Sequence, residues 1–137
     1  MSATPNEARL VVRNGPLVGA VLSRVVGMLA ARALCPIDRL DDALLITDAI
    51  SAHAGDFTSD PEGPQAGRVA ITVSADEQGM TLLVGPLRAQ GAEGLLRAAE
   101  LPGVGNVLER VADEVTTGSA AGADAEELRI HLAFHPA

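Results

Sequence analysis

Residues 68–84 read RVAITVSADEQGMTLLV and form the clearest hairpin pattern in the chain. Apolar and polar residues alternate along the first half, which predicts a strand with one buried face. The five residues ADEQG predict a turn, and a second strand is expected at Met80–Val84. Gly85-Pro86 is expected to end that strand, because both residue types interrupt regular structure.

Two helices are predicted before this hairpin. Arg9–Arg13 reads as a short strand, and Asn14-Gly15-Pro16 ends it and begins a helix. That helix carries apolar residues at i, i+3, i+4, i+7 and i+11, and Cys35-Pro36 ends it. The second helix is expected from Pro36 or Ile37 to about Ala54. Residues 56–67, DFTSDPEGPQAG, predict a surface loop.

The segment after the hairpin is predicted to contain two more helices and a strand. A short helix is expected at Glu93–Glu100, and the spacing of apolar residues predicts an amphipathic helix over Gly105–Val115. Thr117–Asp124 reads as a flexible loop, and Leu128–Phe134 as a last strand.

The order of these elements is β, α, α, β, β, short α, α, β. It predicts an α+β two-layer sandwich with a mostly antiparallel sheet covered by helices on one face. The length of 137 residues suits a single domain, 1–137, in which residues 1–8 are expected to be a flexible N-terminus.

The composition excludes several classes of function. Aromatic residues make up 1% of the chain, with no Trp and no Tyr, so base stacking by a nucleic-acid binder is not expected. The formal net charge of −8 disfavours phosphate backbones and anionic membranes. All basic residues are Arg, which excludes a catalytic Lys and a Walker lysine.

Cysteine use and the absence of a leader pattern predict a cytoplasmic protein. Cys35 is the only cysteine, so no intrachain disulfide can form. The first ten residues lack the basic and apolar regions of a signal peptide. The apolar stretch Leu17–Leu34 contains Arg24 and Arg32 and is too short to span a bilayer.

Asp48 is the first candidate catalytic residue. On a helical wheel it shares a face with apolar residues, and a carboxylate there needs a partner. One interpretation is a general base at a pocket wall, and the other is a structural Asp bonded by Ser51, Thr47 or an Arg. The residues of this expected stripe are Ile37, Leu40, Leu44, Leu45 and Ala52.

The glycines and histidines give weaker signals. Gly103 and Gly105 precede a predicted helix, where bare amides favour an anion such as phosphate, but a plain turn with a helix cap explains them equally well. His131 and His135 share a face of the last strand, about 13 Å apart at the usual rise, which is too far to hold one metal. His53 has no evident triad partner.

Taken together, these segments resemble one family, the anti-sigma-factor serine/threonine kinases of the GHKL (gyrase, Hsp90, histidine kinase, MutL) ATPase superfamily. Residues 40–49, LDDALLITDA, are similar to the family helix "DD-x-x-L-A-V-S-E-A". Residues 103–115, GVGNVLERVADEV, are similar to its segment "G-x-G-L-x-L-I-x-x-L-A-D-E-V". The resemblance spans about Arg9–Phe134. It implies the histidine kinase-like ATPase fold, binding of ATP and magnesium, and dimerisation through the first strand or helix.

Two departures from the family pattern bear on this implied activity. The catalytic Glu of the family corresponds to Asp48, and its magnesium-binding Asn corresponds to Ala52, which has no ligand atom. The family's Asp that accepts a hydrogen bond from the adenine amino group corresponds to Gly85-Pro86, which has no side-chain acceptor. Of the family's nucleotide-binding features, the resemblance retains the glycines on the phosphate side, at Gly103 and Gly105. Binding of ATP and magnesium is therefore expected to be weak or lost.

Two functions follow from the resemblance and its departures. The first is a regulatory binding protein that holds a sigma factor or an anti-sigma antagonist without turning over ATP, with its acidic surface favouring basic partners. The second is an active serine/threonine kinase that phosphorylates an anti-anti-sigma factor, with Asp48 as the base.

Overall fold

A computed structural model describes residues 5–58, 67–120 and 125–135. The strands are β1 (Asn6–Arg13), β2 (Arg68–Ala75), β3 (Gly79–Leu87), β4 (Glu100–Leu101), β5 (Gly105–Asn106), β6 (Glu114–Ser119) and β7 (Glu126–Ala133). The helices are α1 (Pro16–Arg32), α2 (Ile37–His53), α3 (Gly91–Ala98) and α4 (Val107–Val111), with a 3-10 turn at Ala54–Phe57.

Five strands form one antiparallel sheet in the order β1-β2-β3-β7-β6. The predicted hairpin is confirmed as β2 and β3, in which Ile71 lies opposite Val84 and Ala75 opposite Met80. β4 and β5 form a separate two-stranded ladder. An α+β fold with an antiparallel sheet is thus confirmed, and it is compatible with a two-layer arrangement.

The core lies between the sheet and the helices and is aliphatic, as the composition predicts. α1 buries Val18, Leu22, Val26 and Leu29, which recur at helical spacing. Phe134 is also buried, with 2% of its surface exposed. Each fully buried side chain of this size contributes about 1.5–3 kcal/mol relative to an exposed one.

Of the helix expected over Gly105–Val115, only Val107–Val111 is helical, and Gly105–Asn106 form β5. α4 ends at Val111, and Glu114–Ser119 form β6, which pairs with β7. Asp113 N donates to His131 O at 3.0 Å, so the chain joins the sheet immediately after the short helix. The loop expected at Thr117–Asp124 is likewise a strand up to Ser119, and residues 121–124 lie outside the described part.

Three other boundaries differ from the sequence-based expectation. β3 continues through Gly85-Pro86 to Leu87, because a bulge after Val84 restores its pairing with β7. Asn6–Ala8 belong to β1 and not to a flexible N-terminus. Of the expected loop at 56–67, Thr58 forms a bridge with Leu87, and residues 59–66 lie outside the described part.

Candidate functional site

The sequence predicts a buried stripe on α2, but most of that stripe is exposed; Leu40 and Leu44 are half-buried, and Leu40 packs against the core. The buried residues of α2 are Ala43, Ile46, Thr47 and Ile50, whereas Asp48 is exposed. Thr47 tolerates burial because its hydroxyl donates to Ala43 O at 3.0 Å. The expectation that Asp48 lies in a buried apolar stripe is therefore wrong.

This outward surface of α2 combines apolar and acidic side chains. Ile37 is 81% exposed and Leu45 49% exposed, although both are large aliphatic residues. The surface is about 22 Å long from its first to its last residue at the usual helical rise. We call it the outer face of α2, and it consists of Ile37, Asp38, Asp41, Leu45, Asp48 and Ala52.

Asp48 and Ala52 lie one turn apart on the outer face of α2, and both are exposed. Within the described part of the chain, the Asp48 carboxylate makes no side-chain hydrogen bond and no ion pair. Ala52 presents a methyl group where the resembled family has its magnesium ligand. These two residues do not fit a magnesium–nucleotide complex, because a single unsupported carboxylate is left on an open surface.

Gly85, expected on the adenine side, lies inside β3 and packs closely on β7. Its backbone φ is +154°, and a Cβ added there would lie 2.9 Å from Glu126 O. Glycine is thus required by the close approach of two strands. Gly85 belongs to the sheet, whereas Asp48 points away from it on the outer face of α2, so the two do not form one site.

Gly103 lies in the turn between β4 and β5, and Gly105 is the first residue of β5. Their φ values are +77° and +94°, which explains glycine at both positions. The Asn106 side chain caps α4 by accepting from Glu109 N at 3.2 Å, and Val107 N donates to Ala99 O at 3.1 Å. The amides of Val107 and Glu109 are therefore already bonded, which favours the turn-and-cap interpretation at the start of α4.

The histidines are dispersed, and the single cysteine lies partly buried after α1. His131 Nδ1 lies 2.9 Å from Thr81 Oγ1, His135 follows the end of β7, and His53 is the last residue of α2. Burial raises the pKa of the Cys35 thiol, which keeps it protonated.

Arg39 fixes the orientation of α2. Its Nε donates to Ala133 O at 2.8 Å, one Nη donates to Asp42 at 2.9 Å, and the other pairs with Asp113. Asp113 in turn accepts from Ala133 N at 2.7 Å. This half-buried network ties α2 to the start of β6 and the end of β7, so the outer face of α2 has a defined direction.

A scan against models of known protein families finds no match, and a search of curated proteins finds no similar protein. Among residues 5–58, 67–120 and 125–135, no three His, Cys, Asp or Glu side chains are grouped to hold a metal ion. Across the same residues, no helix is long and apolar enough to cross a membrane.

Proposed function

We propose that this chain is a cytoplasmic regulatory protein of the anti-sigma type, which binds a sigma factor or its antagonist through the outer face of α2. The observation that carries the proposal is the exposure of Ile37 (81%) and Leu45 (49%) among Asp38, Asp41 and Asp48. The two side chains lie two turns apart on one face, and their burial by a partner would remove apolar surface from water.

The chemistry of this face supports a partner surface that is basic and partly apolar. Burial of Ile37 and of Leu45 would each contribute at most about 1.5–3 kcal/mol to the free energy of binding. The aspartates around them favour a partner surface with Arg or Lys and accelerate encounter at low salt. The formal net charge of −8 adds to this attraction at long range.

Binding without phosphoryl transfer is supported by one residue of this face, Ala52, and by Gly85-Pro86 of β3. Phosphoryl transfer depends on metal-assisted stabilisation of charge. Ala52 has no ligand atom, and Gly85-Pro86 lies within β3 and brings no carboxylate to α2. The scaffold is therefore proposed to act as a binding surface.

Titration of the purified protein with the purified sigma factors and sigma antagonists of the same cell tests this proposal. Fluorescence anisotropy should give saturable binding that weakens between about 50 mM and about 500 mM salt, because the attraction is partly electrostatic. The double variant Ile37→Gln/Leu45→Gln should weaken binding about 10²-fold. Val11→Thr is the matched control, since Val11 is 45% exposed but lies on β1, and it should bind normally. Binding that is indifferent to the double variant, or no binding to any of these proteins, would contradict the proposal.

Thermal denaturation with ATP and magnesium separates this function from an active kinase. The binding protein should show no nucleotide-dependent rise in Tm. Stabilisation of the wild type by ATP and magnesium, lost in Asp48→Asn, would instead support the kinase.

A further inference from the structure

β6 is an edge strand that carries a single charged residue, Glu114, to protect its edge. Among the described residues it pairs only with β7. Ala120 N donates to Ala125 O at 3.0 Å, and the antiparallel alternation then turns the amides of Val115, Thr117 and Ser119 away from β7. The strand reads EVTTGS, with no Lys, Arg or Pro to oppose pairing.

A groove of about 340 Å³ lies beside this edge, on the helix side of the sheet. It is lined by Thr117 and Ser119 of β6 and by Gln90, Glu93 and Glu126. Glu126 is already engaged, because its carboxylate accepts from Gln90 N at 2.9 Å and Ala92 N at 3.2 Å. Among the described residues Glu93 pairs only with the exposed Arg97, so its carboxylate can exchange partners at little cost.

We propose that β6 binds an extended segment of another protein, which adds a sixth strand to the sheet and places an Arg or Lys in this groove. The outward amides and carbonyls of Val115, Thr117 and Ser119 would supply main-chain hydrogen bonds. Side chains of an added strand alternate between its two faces, so every second residue points to the helix side. An Arg or Lys side chain on the helix side of the added strand would lie near the Glu93 carboxylate, beside Thr117 and Ser119.

The charge of the chain argues against a second copy as the occupant. β6 contains no basic residue, so a second β6 brings no cation to the groove. The formal net charge of −8 also makes two copies repel each other. At the opposite edge of the sheet, β1 carries Glu7, Arg9 and Arg13, which make that edge less receptive to a strand.

This binding edge is independent of the proposed function. The groove uses β6, β7 and the start of α3, and no residue of the outer face of α2 lines it. The two surfaces can be changed one at a time.

Selection of random peptides displayed on phage against the intact protein tests the proposal. The enriched peptides should be extended sequences with a basic residue flanked by β-branched residues. Synthetic copies should bind about tenfold more weakly to Thr117→Pro, which removes one outward amide, than to the wild type. Thr117→Val keeps the amide and is the matched control, and it should bind like the wild type. Glu93→Gln should weaken binding and reduce its salt dependence.

Hydrogen exchange on the wild type keeps the test valid if Thr117→Pro does not fold. The bound peptide should slow exchange at the amides of Val115, Thr117 and Ser119, and Ile37→Gln/Leu45→Gln should leave this effect unchanged. The proposal is overturned by any of four results: no enriched peptide, enriched peptides without a basic residue, unchanged exchange at these amides, or self-association through β6.

Discussion

The inner and outer faces of α2 carry similar aliphatic side chains in different surroundings. Ile46 and Ile50 on the inner face are fully buried, whereas on the outer face Ile37 is 81% and Leu45 49% exposed. The polar residue of the inner face is Thr47, which bonds within the helix, while the outer face carries aspartates. The inner face thus stabilises the fold, and the outer face is available to a partner at little cost in stability.

Truncation of adjacent residues gives the largest expected difference between the faces. Ile46→Ala should lower the free energy of unfolding by about 2–5 kcal/mol, because it removes buried methyl groups and leaves a cavity. Leu45→Ala should change it by less than about 1 kcal/mol, because 49% of Leu45 is already exposed. Urea denaturation of both variants measures the difference, and equal losses would show that Leu45 is part of the core.

Removal of Arg39 tests what holds the two faces in place. Arg39→Met should lower the free energy of unfolding by about 2 kcal/mol, because three acceptors lose a charged donor at a half-buried position. Arg97→Met is the matched control. Its ion pair with Glu93 has both side chains 62% or more exposed, so the loss should stay below about 0.5 kcal/mol. If the two variants melt alike, the network does not orient α2.

The sequence predicts α1, α2 and the hairpin because their signals are local. α1 begins at Pro16 and α2 at Ile37, where Pro and Gly interrupt the chain, and apolar periodicity extends between those points. The alternation in β2 and β3 likewise depends on neighbouring residues alone. These elements need no distant contact to be recognised.

The sequence-based expectations differ from the structure where contacts between distant residues determine the secondary structure or the buried face. Val107, Val111 and Val115 keep helical spacing, yet Val115 belongs to β6 because it pairs with Ile130. In α2, two apolar sets satisfy the same periodicity, and only the packing of the sheet selects Ile46 and Ile50 over Ile37 and Leu45. The clue to the outer face was the placement of Asp38, Asp41 and Asp48 on one side of the helix, which favours solvent.

The buried hydroxyl of the inner face is expected to contribute little on its own. Thr47→Val removes a donor whose acceptor, Ala43 O, is a helix carbonyl, and it keeps the branched shape of the side chain. The free energy of unfolding should therefore change by less than about 1 kcal/mol in urea denaturation. Thr47→Asp is the contrasting variant, and burial of its carboxylate should prevent stable folding. A large loss in Thr47→Val would mean that the hydroxyl has a structural role beyond this bond.

The smallest effect on stability is expected on the outer face of α2. Ile37→Gln/Leu45→Gln replaces exposed aliphatic side chains with a residue of comparable helix propensity to Leu, so the free energy of unfolding should change by less than about 1 kcal/mol in total. The same double variant is expected to lose most partner binding, so binding and stability should separate. Ile46→Gln provides the matched inner-face control and should unfold the protein, because its amide would be buried without partners. A double variant as unstable as Ile46→Gln would show that both faces of α2 stabilise the fold, and the outer face would no longer qualify as a free binding surface.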